Sequence, residues 1–275
     1  MKIALTVAGS DSGGGAGIQA DLKTFHQYGV FGTSVIVAVT AQNTCGVRSI
    51  QTIPDPIVAD QLAALAADLP PAAVKTGMLA AGQLVELVAG AIADHGWTQY
   101  VCDPVMVATS GDRLLDSDAV AVVRDRLLPL ARIVTPNLDE AEILTGLEAR
   151  DPSGMEQAGR RLLALGARAA LVKGGHLATE VMTDVLVTPS GVHRFTRPRL
   201  VTTSTHGTGC TLSAAITAGL ALGYELPESV ASALEFVHRA MQAAPGLGAG
   251  HGPLNHMVSA PDPASVRRGD PSHTA

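Results

Sequence analysis

Short apolar runs that end in glycine or a polar residue alternate along this chain with stretches of helical periodicity. The strand-like runs cover 2–8, 33–40, 72–77, 99–104, 131–135 and 169–173. The helix-like runs cover 16–28, 56–68, 81–94, 117–130, 138–145, 153–165, 208–222 and 227–243. Such alternation predicts crossover connections, and so an α/β fold with a mostly parallel central sheet and helices on both faces. The strands are nearly continuous Val, Ile and Ala, as strands covered on both sides must be. The segment 184–201 breaks the pattern. Asp184 to Thr188, then Pro189-Ser190-Gly191, then Val192 to Phe195 reads as an antiparallel hairpin near one edge. No repeat of 20–50 residues is visible. After Ala260 the chain turns polar and proline-bearing. A single domain over 1–258 is expected, with 259–275 a frayed tail.

The polar and glycine signals fall where strands end, which is where open parallel sheets bind ligands. The first is Gly9-Ser10-Asp11-Ser12-Gly13-Gly14-Gly15-Ala16-Gly17, then Ile18-Gln19-Ala20-Asp21. A glycine run between strand and helix suits a phosphate or a flat substrate packed on backbone, and it equally suits a plain turn. It does not have Walker spacing. Gln42 follows the second run and can donate and accept at once, as a heterocycle with a ring nitrogen beside an amino group requires. A turn amide serving its own backbone is the other reading. Lys75-Thr76-Gly77-Met78 closes the third run. Met78 lines a flat apolar pocket on one reading and fills a core gap on the other. Asp103, in Cys102-Asp103-Pro104-Val105-Met106, places a carboxylate where it can hold hydrated magnesium near phosphates. Asn137 and Glu140 are three apart across a strand-to-helix junction, which fits a metal bound through water and also fits a capping box. Lys173, before Gly174-Gly175-His176, offers a point charge for polyphosphate.

The most informative stretch is His206-Gly207-Thr208-Gly209-Cys210-Thr211, which opens a small-residue helix. Amides at a helix start lack partners within the helix, and the helix dipole adds positive potential there. Glycines let an anion come close. The stretch reads as an anion hole for a phosphoryl group in transfer, with an ordinary Gly-rich turn as the alternative.

Composition removes several classes. The 275 residues are 47% hydrophobic and 16% charged with net charge -6, so there is no basic footprint for nucleic acid. Charge is not gathered into blocks. The opening apolar run is too short for a membrane span and lacks a signal-peptide layout. The three cysteines, Cys45, Cys102 and Cys210, form neither a disulfide framework nor a zinc spacing. A reducing cytoplasm is expected.

Taken in order from Ile3 to Val258, these motifs resemble the hydroxymethylpyrimidine/phosphomethylpyrimidine kinases of thiamine biosynthesis, in the ribokinase-like superfamily. The blocks 14–23 and 205–215 are the specific ones; the Asn137-x-x-Glu140 pattern belongs to the wider superfamily. The resemblance implies a ribokinase-like three-layer sandwich and two successive transfers from ATP. The first goes to the hydroxymethyl group of 4-amino-5-hydroxymethyl-2-methylpyrimidine, the second to the monophosphate so formed. It implies that Gln42 bonds the pyrimidine with Asp21 near it, and that Gly9, Met78 and Val105 line the ring pocket. Asp103, Asn137 and Glu140 would organise magnesium and its waters, with Lys173 on the nucleotide side. Gly207, Thr208, Gly209 and Cys210 would supply the anion hole. A homodimer is expected on the same ground and on the prevalence of symmetric oligomers.

Where sugar-kinase relatives carry an aspartate base, this chain carries Cys210. A thiol at a helix N-terminus is expected to have a lowered pKa and so to take an alcohol proton. The second acceptor is already ionised and needs no base, so Cys210 is expected to matter more for the first step. One departure concerns the glycine loop, which usually reads Asp-Pro-Ser-Gly-Gly in relatives and here is Asp11-Ser12-Gly13-Gly14-Gly15. Without the proline the loop is expected to be less ordered. Two other functions fit the same residues: a pyridoxal or pyridoxine kinase on this scaffold, and a non-catalytic pyrimidine-binding sensor. The loop after Gln42 and the segment 106–114 are the candidate lids.

Overall fold

The computed structural model describes residues 1–106, 117–175 and 181–262. His176, most of the 106–114 candidate lid and most of the expected tail lie outside them. The described elements are β1 (Ile3–Asp11), α1 (Gly17–Gln27), β2 (Phe31–Asn43), β3 (Gly46–Thr52), α2 (Asp55–Asp68), β4 (Ala73–Thr76), α3 (Gly82–Asp94), β5 (Tyr100–Cys102), α4 (Ser117–Val122), β6 (Ile133–Val134), α5 (Leu138–Thr145), α6 (Pro152–Ala164), β7 (Ala170–Val172), β8 (Val181–Thr188), β9 (Gly191–Pro198), α7 (Thr208–Leu222) and α8 (Leu226–Gln242). The helix expected over 117–130 changes character midway. A π turn follows α4 at Val123–Leu127, and a 3-10 turn at Leu128–Leu130 carries Pro129.

All nine strands form one sheet, in the order β3-β2-β1-β4-β5-β6-β7-β8-β9. The strands from β2 through β1 and β4 to β7 run parallel. The expected edge hairpin is β8 and β9, antiparallel to each other and to β7. A second antiparallel strand, β3, closes the opposite edge against β2.

Alternation of side chains along the strands builds two cores. Leu5, Val7, Val74, Cys102, Val134 and Val172 face the layer of α2 to α6. Ala4, Ala73, Val101, Ile133 and Leu171 face α1, α7 and α8. Helix α7 is buried at every position from Thr211 to Ala221, which explains its Ala, Gly, Ser and Thr composition. Its small residues let it lie directly on the sheet.

The chain leaves β1 for β2 on one side and returns to β4 on the other. The β1/β4 junction is therefore a topological switch point, and the crevice beyond it is the natural ligand site. Main-chain bonds tie the strand ends into a row: Gly77 N–H to Val7 O, Asp103 N–H to Thr76 O, Thr135 N–H to Cys102 O and Lys173 N–H to Pro136 O. The polar signals of the sequence thus share one rim.

Candidate active site

The glycine loop after β1 is organised by Asp11. Its Oδ1 accepts from Gly13 N–H at 2.7 Å, and its Oδ2 accepts from Gly15 at 3.0 Å and Ala16 at 2.9 Å. His206 Nε2 lies 2.8 Å from the same Oδ2. Burial pushes this carboxyl up, but His206 and the loop amides outweigh it and hold it below the usual range. The carboxylate thus orders the loop around itself.

Gln42 lies near the end of β2, opposite Val47 of β3 and just past a register shift in that ladder. Its N–H donates to Ser12 Oγ at 2.8 Å, and Ser12 Oγ donates to Gln42 O at 2.7 Å. Thr40 Oγ1 reaches Gln42 Oε1 at 3.1 Å and Ser10 O at 3.0 Å. The main chain of Gln42 is thereby fixed to the glycine loop, and its side-chain oxygen is held by Thr40. The loop after Gln42, expected as a lid, is the β2–β3 turn, and it is held from outside: His251 N–H donates to Thr44 O at 2.8 Å. Met78 covers Gly9 so closely that a Cβ there would meet Met78 Cε at 2.4 Å. Half-buried Val105 lines a narrow, nearly closed crevice with Thr76, Gly77, Leu79, Asp103 and Pro104.

Asp21 lies under this surface rather than on it. It and Lys75 are fully buried, 2.8 Å apart, and Thr6 Oγ1 donates to the other carboxylate oxygen at 2.6 Å. Burial acts to lower Lys75; Asp21, Cys210 and Asp103 outweigh it and keep the ammonium charged. Burial raises Asp21 against the pull of Lys75. Geometry favours the ion pair, since both oxygens have donors.

On the other side of the rim, Gly207 takes the left-handed φ of 79° just before α7. A Cβ there would lie 1.8 Å from Gly15 O, so only glycine fits. Thr211 N–H bonds Gly207 O at 2.8 Å, while the amides of Gly209 and Cys210 find no main-chain acceptor among the described residues. Facing them are Asp103 and Lys173. Lys173 Nζ is 3.2 Å from Asp103 Oδ1, with Thr135 Oγ1 3.1 Å from that oxygen and Ser213 Oγ 3.1 Å from Oδ2. Burial pushes Asp103 up; Lys173 and Lys75 reverse this and hold it below the usual range. Asn137 and Glu140 form the capping box of α5, at 2.8 and 2.9 Å. Glu140 Oε2 is also 3.9 Å from Lys173 Nζ. Burial raises Glu140 to about 7, with Lys173 opposing and Asp103 adding.

Cys210 departs from the expectation. Its thiol is pushed up to about 11, chiefly by burial, with Asp21 and Asp103 adding and Lys75 opposing. Neither Lys75 nor the hydrogen bond from the Gly17 main chain offsets the burial. A thiol so raised is predominantly protonated near neutral pH.

Among the described residues no group of three or more His, Cys, Asp or Glu converges as a metal cage. The oxygens of Asp103 and Glu140 suit a hard cation that keeps most of its water and is held chiefly by phosphates. Among the described residues no helix is long and apolar enough to cross a membrane.

The sequence-derived residues lie at the strand ends and the start of α7: Met78 against Gly9, Gln42 tied to Ser12, Val105 beside Asp103, Gly207, Thr208, Gly209 and Cys210 opening α7, and Asp103, Glu140 and Lys173 in one charged cluster with Asn137 capping α5. Asp21 sits beneath them. Sequence reasoning gave no role to Asp11, Lys75 or His206. An Asp ahead of a glycine run is a local signal for a carboxylate binding loop amides; the pairings with His206 and across the sheet have no local signal.

The sequence model of a family described as phosphomethylpyrimidine kinase matches residues 11–255. A hydroxymethylpyrimidine/phosphomethylpyrimidine kinase of Rhizobium meliloti is 49% identical over 93% of this chain and 97% of its own. A thiamine biosynthesis bifunctional protein of Geobacter sulfurreducens is 50% identical over 94% of this chain, which spans 53% of that longer protein. An ADP complex of Bacillus subtilis pyridoxal kinase superposes with a TM-score of 0.86 at 36% identity, covering 93% of this chain and 97% of that one.

Proposed function

The chain belongs to the phosphomethylpyrimidine kinase family, and from that premise we propose that it transfers phosphate from ATP twice, first to the hydroxymethyl group of an aminopyrimidine and then to the resulting monophosphate, in thiamine biosynthesis. The observation that carries this reading is the shared rim. Gln42 is locked to the glycine loop, and that loop touches the start of α7 at Gly207.

The chain's own residues divide the work. Gln42 pairs with the pyrimidine edge, and Gly9, Met78 and Val105 bracket the ring. The amides of Gly209 and Cys210, at the helix start that Gly207 and Thr208 shape, face the transferring phosphoryl group, where preformed donors stabilise developing charge without reorganising. Lys173 meets the polyphosphate from the β7 end. Asp103, Asn137 and Glu140 are the residues that would hold magnesium through water, and the ion would neutralise phosphate charge. Cys210 borders the acceptor oxygen, and the minor thiolate form of a thiol raised to about 11 accepts the hydroxyl proton in the first step. Asp21 acts through Lys75 and not by direct contact.

The test is product stoichiometry. Incubation with ATP, magnesium and the pyrimidine alcohol should give a product carrying two added phosphates by mass spectrometry. A product carrying one, or none, overturns the two-step reading. A second reading, pyridoxal kinase, draws support from the likeness to the Bacillus subtilis enzyme, and kcat/KM on pyridoxal beside the pyrimidine ranks the two. The same premise supports a homodimer, a cytoplasmic location and a single domain over 1–258, for which light scattering, fractionation and limited proteolysis are the measurements.

A further inference from the structure

The glycine loop and the start of α7 are far apart in sequence; Asp11 and His206 are 195 residues from each other, yet their side chains meet at 2.8 Å. We propose that Asp11 is a positioning residue: through His206 it latches the glycine loop to the start of α7 and fixes the separation between ring site and phosphate site. The naming of those two sites rests on the kinase reading above; the latch itself does not.

Asp11 is 3% exposed and both its oxygens are engaged, so it acts through its neighbours and not on a ligand. Its carboxylate gathers three loop amides and the imidazole. The two segments then interlock sterically. A Cβ on Gly15 would strike His206 Cδ2 at 2.6 Å, and one on Gly207 would strike Gly15 O. The backbone of His206 is tied elsewhere: its N–H donates to Gly252 O at 3.1 Å. The segment around Gly252 reaches the β2–β3 turn, through His251 N–H to Thr44 O at 2.8 Å and Gly250 N–H to Thr44 Oγ1 at 3.3 Å. From Thr44 the chain runs back to Gln42, and Gln42 binds Ser12, next to Asp11. The contacts close a circuit around the site, and the Asp11–His206 pair is the side-chain contact in it that joins the glycine loop to the segment leading into α7. An Asn at position 11 would turn an NH₂ toward donors and open it.

The experiment compares Asp11→Asn, His206→Asn and the double variant with the wild type. Misplacing bound reactants by about 1 Å can cost about 100-fold in rate. Each single variant should therefore lose about 10–100-fold in kcat with the KM values for pyrimidine and ATP within about threefold, since each half-site survives. The double variant should be no worse than Asp11→Asn, because one link is broken once. Amide hydrogen exchange supplies a readout free of substrate identity. His206→Asn should speed exchange at Gly13, Gly15 and Ala16. If the wild type fails to phosphorylate the pyrimidine, the kinase reading falls while the exchange result still judges the latch. Unchanged kcat, a loss confined to one KM, multiplying losses, or unaltered exchange at the loop amides would each overturn it. Should Asp11→Asn not fold, His206→Asn and its exchange pattern decide alone.

Discussion

Lys173 and Gly209 abut: Lys173 Nζ lies 3.3 Å from the point that a Cβ on Gly209 would occupy. The same ammonium is 3.2 Å from Asp103 Oδ1. A cation from the β7 end and an open helix start thus bound one small space. Compare Gly209 with Gly207, whose added Cβ would meet backbone, Gly15 O, at 1.8 Å. Gly209→Ala meets only the far end of a flexible side chain. It should fold with nearly the wild-type Tm and raise the KM for ATP several-fold. Gly207→Ala combines a left-handed φ with a backbone clash and should cost about 3 kcal/mol or more. Urea unfolding with ATP kinetics separates the two; equal stability losses would show that the helix start is pliable.

The buried pair Asp21–Lys75 gives a second prediction. Removing one partner of a fully buried ion pair leaves an uncompensated charge, at a cost of about 3–5 kcal/mol, whereas replacing both by apolar groups is often neutral. Lys75→Met should therefore destabilise strongly, and Asp21→Leu in the same chain should restore most of the loss. Urea midpoints of the single and double variants check it. A double variant as unstable as the sum of its parts would mean that Thr6 and Cys210, and not the pair, dominate the region.

Stability should fall in acid because of His256. Burial and Lys23 hold its imidazole at about 4, below the usual 6.5, while Thr211 Oγ1 lies 2.9 Å from its Nε2. A histidine kept neutral by folding binds fewer protons than it does unfolded. Its contribution is whole above pH 6.5 and drains away as pH falls toward 4. The difference corresponds to about 3 kcal/mol. His256→Gln should flatten the urea-midpoint profile between pH 7 and 4. Below that window Asp11 and Asp103, both held low by their partners, begin to take up protons and add a separate loss.

Most of this architecture was legible because burial writes a period into the sequence. The central strands are covered on both faces, and their apolar runs announce them. Strand β3 is largely exposed on one edge, so Gly46–Thr52 carries no apolar signature and the sequence reading passes over it. The break in the expected 117–130 helix is likewise hidden, since its residues keep helical periodicity through the π turn. At the site, Asn137 and Glu140 were readable as a capping box because that signal is local. Cys210 was misjudged for the opposite reason. Its position at a helix start is visible in sequence, but burial and the two carboxylates beneath it are assembled from β1, α1, β5 and α7. Only the folded chain shows which influence wins.

The last prediction follows from that balance. Cys45 is exposed, Cys210 half-buried with its thiol pushed up to about 11, and Cys102 buried with its thiol at about 12. Alkylation requires the thiolate and access. With iodoacetamide at pH 8, mass spectrometry should find Cys45 modified first, Cys210 slowly and Cys102 last. If the Cys210 thiolate is the base of the first transfer, kcat/KM for the pyrimidine alcohol should rise about tenfold per pH unit between 7 and 9, since the thiolate fraction rises so far below the pKa. The transfer to the monophosphate needs no base and should lack that slope. Cys210→Ala should abolish the slope and slow the alcohol step more than the second. Equal losses in both steps with no pH slope in the wild type would make Cys210 a shaping residue of the anion hole and leave proton removal to the phosphate oxygens.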